Sequence, residues 1–143
     1  MSDTAFVADL HLRWGDLDPL NHVNNVQFAR LLEEARIRAM HAWFPDGERE
    51  FAMLVARQEI EYTAPLLYSL EPARVEVWVS RLGGSSFDFA YRLRSAEGAL
   101  SALAESTSTV IDRETGRPIP IPAPVREVLE GRFGAEVEFR RRR

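Results

Sequence analysis

The sequence predicts an α+β domain: an antiparallel sheet covered by one long helix. Three observations carry this. A single long amphipathic stretch opens at about Asn25, one strand-like segment precedes it and four follow, and the breaks between the later segments are short. Connections that short favour antiparallel neighbours over crossovers.

The first strand is expected over Phe6–Trp14, where Val7, Leu10 and Leu12 interleave with Asp9, His11 and Arg13. The helix start is written in Asn24, a favoured N-cap, with Gln27 at the capping-box position and Val23 and Phe28 placed for a hydrophobic staple. Phe28, Leu31, Leu32, Ala35 and Ala39 then recur at spacings of three and four, while Arg30, Glu33, Glu34, Arg36 and Arg38 fill the polar side. The pairs Arg30/Glu34 and Glu34/Arg38 are expected to support it from outside. Pro45-Asp46-Gly47 stops it. Strands are expected over Phe51–Thr63, Ala73–Leu82, Phe87–Arg94 and Leu100–Asp112, divided by Pro65–Pro72, Gly83-Gly84-Ser85-Ser86 and Ala96-Glu97-Gly98. After a turn at Asp112–Pro118, Val125–Glu130 makes a short last helix between Pro124 and Gly131.

With 143 residues, 45% hydrophobic and 28% charged, the chain fits one domain, assigned to residues 1–135, followed by a basic tail over 136–143 that reads as a solvated end. The formal charge is −4, so setting aside the four positive charges of Arg140–Arg143 leaves −8 on the remainder. An acidic body argues against a nucleic-acid partner. The absence of cysteine excludes disulfides and a thiolate nucleophile, and His11, His22 and His41 form no zinc pattern, so neither metal nor cofactor is expected. No signal-peptide pattern opens the sequence and no apolar run approaches the ~20 residues a membrane helix needs. A cytoplasmic location is the expectation.

The chemistry concentrates in Arg13–Arg36. Asp18-Pro19 reads as a turn, which holds a carboxylate a few residues ahead of a helix whose first N–H groups are unpaired. That arrangement suits acyl transfer: N–H groups of Asn25, Val26 or Gln27 polarise a carbonyl while Asp18 attacks it or activates water. Asp16 reads as a turn residue and Asn24 mainly as a cap. For His22, a structural hydrogen bond and a catalytic part both fit. Glu33 and Glu34 read as surface or interface pairing residues, because Glu34 lies on the order of 13 Å along the helix from Asn25. Arg57, Glu59 and Glu61 read as a solvated strand face, and Gly83–Ser86 as a hairpin turn.

The run WGDLDP, followed by HVNN and a helix carrying EEAR, resembles the hotdog-fold acyl-CoA thioesterases of the 4-hydroxybenzoyl-CoA thioesterase family. The resemblance covers nearly the whole chain. It implies five strands wrapped around a central helix, and an acyl-CoA substrate. It places the catalytic carboxylate on Asp18 and the carbonyl-facing backbone N–H on Asn25. Asn24 and Val26 fall beside these as substrate contacts, and Ser86 falls near the nucleotide end of coenzyme A. It also implies a homodimer or homotetramer with sites shared between subunits. The chain departs from many relatives in having Asn21 where they have glycine, and Asn24-Asn25 where an aromatic residue often opens the helix. DLD followed by HVNN is also similar to plant acyl carrier protein thioesterases, whose catalytic Asp and His match the spacing of Asp18 and His22, although Leu20 stands where they have Asn. A carrier-protein thioesterase and a non-catalytic hotdog binding protein are therefore the alternative readings.

Overall fold

The structure, a computed structural model, describes residues 5–45 and 51–142. Asp46 and Gly47 of the expected turn, and Arg143 of the tail, lie outside them. The elements run β1 (Phe6–Leu10), α1 (Asn25–Trp43), β2 (Ala52–Tyr62), β3 (Ala73–Leu82), β4 (Ser86–Arg94), β5 (Leu100–Ile111) and α2 (Ala123–Glu130), with short 3-10 turns at Trp14–Asp16 and Arg140–Arg142. The five strands form one sheet in the order β1-β3-β4-β5-β2, antiparallel at every pairing. This is the five-stranded sheet with a packed central helix expected of a hotdog fold. Among the described residues, no helix is long and apolar enough to cross a membrane.

β1 is shorter than expected because its partner ends. Leu10 pairs with Ala73, the first residue of β3, and nothing beyond it offers a ladder. The chain then turns at Trp14–Asp16, where the Asp16 carboxylate takes the Arg13 backbone N–H.

α1 buries Phe28, Leu31, Leu32, Ala35, Ala39, Met40 and Trp43 and rests mainly on β1 and β3. Arg36, assigned above to the polar side, is buried as well, because it stands one turn from both Leu32 and Met40 on the inward stripe. Arg38 pairs with Glu34 at 2.6 Å as expected. Arg30 instead turns back toward Asp16 and Gln27. Gln27 therefore does not close the capping box, and the Asn24 backbone N–H donates to the Asp16 carbonyl. Val23 and Phe28 are both buried, as a staple requires.

The inner sheet face supplies Val75, Val77, Val79, Phe87, Phe89, Tyr91 and Leu93 to the main core. On the outer face Trp78, Ala90 and Leu103 form a second cluster with Val137 and Phe139. Part of the stretch expected to be a solvated tail is thus packed. The reason lies in its own alternation, since Val137 and Phe139 point inward while Glu136, Glu138 and Arg140 stay exposed. The Trp78 indole donates to the Ala135 carbonyl at 2.7 Å, and a Cβ on Gly134 would come within 2.7 Å of the Trp78 ring, so only glycine fits there. The backbone N–H groups of Arg140 and Arg141 donate to the Glu61 carboxylate.

Phe139 is 1% exposed. Phe139→Ala is expected to cost about 3–5 kcal/mol, whereas Arg140→Ala should stay within about 0.5 kcal/mol of wild type. Denaturant unfolding midpoints of the two variants check this.

Candidate active site

The segment between β1 and α1 is a small closed hairpin. Leu17 bridges Val23, and the Asp18 N–H donates to the His22 carbonyl at 2.8 Å. Pro19 starts the turn inside it, and the Asn21 N–H closes the turn onto the Asp18 carbonyl at 3.0 Å. Asn21 itself adopts φ 62°, a left-handed conformation that asparagine tolerates far better than most side chains. That is the position where many relatives of the resembled family have glycine.

The hairpin aims the Asp18 carboxylate. Its Oδ1 accepts from the backbone N–H groups of Leu20 at 2.8 Å and His22 at 3.2 Å. Among the described residues, Oδ2 has no hydrogen bond, so one oxygen is anchored and the other is available. The N-cap sorts the helix donors in the same way. Asn24 Oδ1 takes the Val26 N–H at 3.0 Å, and the Asn24 carbonyl takes that of Gln27 at 2.8 Å. Of the three N–H groups expected to face a carbonyl, this leaves that of Asn25 without an acceptor among the described residues.

Asp18, His22 and Asn25 line one cleft of about 400 Å³, together with Phe28, Tyr62 and Leu66. Asn24 and Val26 do not line it. Asn24 acts as the cap, and the Val26 side chain is 67% exposed. Ser86 is not brought to it within one subunit. Tyr62 pairs with Ala102 and Ser86 with Thr109, seven residues farther along β5. That separation is roughly 23 Å. Ser86 Oγ instead accepts from Arg81 at 2.9 Å in the β3–β4 hairpin. Of the charged strand residues weighed above, Arg57 pairs with Glu59 and Glu105, and Glu61 holds the chain end.

Two contributors escaped the sequence reading. Tyr62, at the end of β2, bonds the Asn25 carbonyl through its hydroxyl at 3.3 Å and meets Phe28 edge-on at 5.0 Å. Its only sequence signal is its place at a strand end, three residues before Pro65. The other is Asp16, fully buried, which does far more than turn the chain. Oδ2 accepts from the Arg13 backbone at 2.8 Å and from Arg30 at 2.9 Å, and Oδ1 accepts from the Arg13 guanidinium at 2.8 and 3.0 Å. Burial alone would raise the Asp16 pKa, but the hydrogen bonds from Arg13 and the charges of Arg30 and Arg13 outweigh it and hold the carboxyl below its ordinary value. Among the described residues, no three His, Asp or Glu side chains gather as metal ligands.

Residues 12–129 match the model of the thioesterase-like superfamily. YneP of Bacillus subtilis (strain 168), whose name assigns it provisionally to the acyl-CoA thioesterases, is 25% identical over 78% of this chain and 83% of its own. A Thermus thermophilus thioesterase solved with coenzyme A and Zn is 31% identical, with a TM-score of 0.74 over 89% of this chain and 92% of that one. A thioesterase-superfamily protein from Jannaschia sp. CCS1 shares the fold at a TM-score of 0.85 and 20% identity, over 94% and 96% of the two chains.

A depressed carboxyl stabilises the fold fully above its unfolded pKa of ~3.9 and loses that contribution as pH falls through the lower folded value. Asp16→Asn is expected to cost about 1–3 kcal/mol near neutral pH, with the gap to wild type closing as pH drops below about 4. Denaturant unfolding measured across that range checks both the size and the direction.

Proposed function

This chain belongs to the thioesterase-like superfamily, and from that premise we propose that it hydrolyses an acyl-CoA thioester to a carboxylic acid and free coenzyme A. The observation that carries the reading is the pairing of an available Asp18 oxygen with an acceptor-free Asn25 N–H on one cleft. The thioester carbonyl oxygen takes the Asn25 N–H at the positive end of α1, which stabilises the negative charge that develops there. Asp18 Oδ2 then either attacks the carbonyl carbon, expelling the thiolate and leaving a mixed anhydride for water to cleave, or removes a proton from an attacking water. His22 serves through its backbone, which clamps Asp18 on both sides. The coenzyme A bound to the Thermus thermophilus relative supports this leaving group.

The dimer belongs to the same proposal. β2 is an edge strand of 11 residues with Leu54 and Val55 half exposed and one row of backbone groups unpaired in the sheet. A second copy pairing along this edge would bury it and bring a neighbouring surface toward each cleft. Ser86 would then reach coenzyme A only from the partner side, since within one subunit it lies at the far end of β5.

Asp18→Asn keeps the hydrogen-bond geometry but removes the nucleophile or base, and should lower thiol release from acyl-CoAs by roughly 10²–10⁴-fold. Asn25 offers a sharper test, because it is the first residue of α1, where proline is well accommodated, and Asn24 at ψ 138° already suits a following proline. Asn25→Pro deletes only the N–H and should cost about 10²–10³-fold in kcat, while Asn25→Ala stays near wild type. An active Asp18→Ala variant would overturn the assignment. Release from acyl carrier protein esters but not from matched acyl-CoAs would redirect it to the carrier substrate.

A further inference from the structure

Arg36 is the one charged residue that α1 buries, with its side chain only 6% exposed. Its Nη1 donates to the Tyr91 hydroxyl at 3.1 Å, and that hydroxyl shares a short hydrogen bond with Ser106 Oγ. Tyr91 cannot neutralise the guanidinium. Burial pushes the phenol pKa up, the charge of Arg36 and the hydrogen bonds only partly offset this, and the ring stays neutral. The nearest carboxylate, Glu33, stands 3.9 Å from Nη2, too far for a hydrogen bond, and its own side chain is 68% exposed. Nε and Nη2 therefore have no hydrogen-bond acceptor among the described residues. A buried guanidinium in that state calls for an anion.

The place where one could reach it is a groove of about 290 Å³ between α1 and β2, lined by Ala29, Arg30, Glu33, Arg36, Val55 and Gln58. Asn25, Ala29, Glu33 and Arg36 follow one another along a single face of α1, and Tyr62, Gln58 and Val55 descend β2 opposite them. The same two elements thus wall the cleft at Asn25 and Tyr62 and this groove below it. Arg36 Cα lies on the order of 16 Å along the helix from Asn25, and helical side chains lean back toward the N-terminus. With the Arg36 side chain reaching back by roughly 6 Å, the remaining distance of about 10 Å matches an eight-carbon acyl group whose carbonyl accepts from the Asn25 N–H. The other charged groups on the groove are Arg30, already engaged by Asp16, and the exposed Glu33. Arg36 is thus the positive charge on the groove with no closer counter-ion among the described residues than the exposed Glu33 at 3.9 Å.

Resting on the thioesterase reading, we propose that the groove receives the acyl group and that Arg36 selects acyl groups ending in a carboxylate, the product being a dicarboxylic acid. The test compares the coenzyme A thioesters of octanoic acid and of octanedioic acid on wild type and Arg36→Met, with melting temperature and oligomeric state measured alongside. Replacing a buried charge with an apolar side chain of similar length is commonly tolerated. Wild type should favour the carboxylate-ended thioester in kcat/KM by roughly tenfold or more. Arg36→Met should lose that preference through the octanedioyl thioester alone, with octanoyl turnover kept.

Wild-type hydrolysis of both thioesters without the preference overturns the inference and leaves the thioesterase reading standing, even if the variant does not fold. A changed oligomeric state in Arg36→Met with the preference intact overturns it too, by making the groove a contact between copies. Hydrolysis of neither thioester counts against the acyl-CoA reading and leaves the carrier-protein esters to be assayed. Calorimetric binding of the same two thioesters then decides Arg36 separately, tighter octanedioyl binding in wild type but not in Arg36→Met supporting it and equal binding refuting it.

Discussion

The ion cluster around Asp16 is the constraint from which the site hangs. One buried carboxylate gathers a guanidinium from its own turn, a guanidinium from the first turns of α1 and a backbone N–H, while its carbonyl holds the N-cap residue. These bonds fix where the hairpin leaves β1 and where the helix begins. Asp18 sits two residues along one of those paths and Asn25 one residue past the other. Their separation is thus set by a rigid bridge rather than by the flexibility of a loop. Such a cluster is costly to form and costlier to break, because removing the carboxylate leaves two facing cations without their shared anion.

Around that anchor the fold divides its sheet unequally. α1 lies over β1 and β3 and touches β4, which leaves the inner side of β2 and β5 less covered. The main core fills the covered half with aromatic rings from β4, whereas the other half carries the small residues Ala102, Ala104, Ser106 and Ser108. A helix set to one side leaves room for the groove between α1 and β2 beside a close-packed core. The site occupies the upper end of that asymmetry, where Tyr62 reaches across to the helix.

Most of this architecture was legible in the chain. The N-cap at Asn24 marked the helix start, period-two patterns marked the strands, and a carboxylate held by Pro19 just ahead of a helix pointed to Asp18 and Asn25, which share one cleft. What stayed hidden depends on partners distant in sequence. Asp16 looked like a turn residue because Arg30, which makes it a clamp, lies 14 positions away, and the same arginine draws Gln27 out of the capping box. Arg36 looked solvated because charge outranks helical position in a pattern reading, although its place between Leu32 and Met40 is an inward one. Tyr62 needed the sheet order to bring its strand end to the helix, and Phe139 needed Trp78 and Leu103 to form a surface worth covering.

Glu61 and Tyr62 are adjacent on β2 and point to opposite faces of the strand. On one face Glu61 holds the amides of Arg140 and Arg141, and on the other Tyr62 holds the carbonyl of Asn25. The segment at Arg140 and Arg141 is therefore tethered, through two successive residues of β2, to the wall of the cleft. Tension drawn along the chain at Arg140 and Arg141 would be applied to the strand that positions Tyr62.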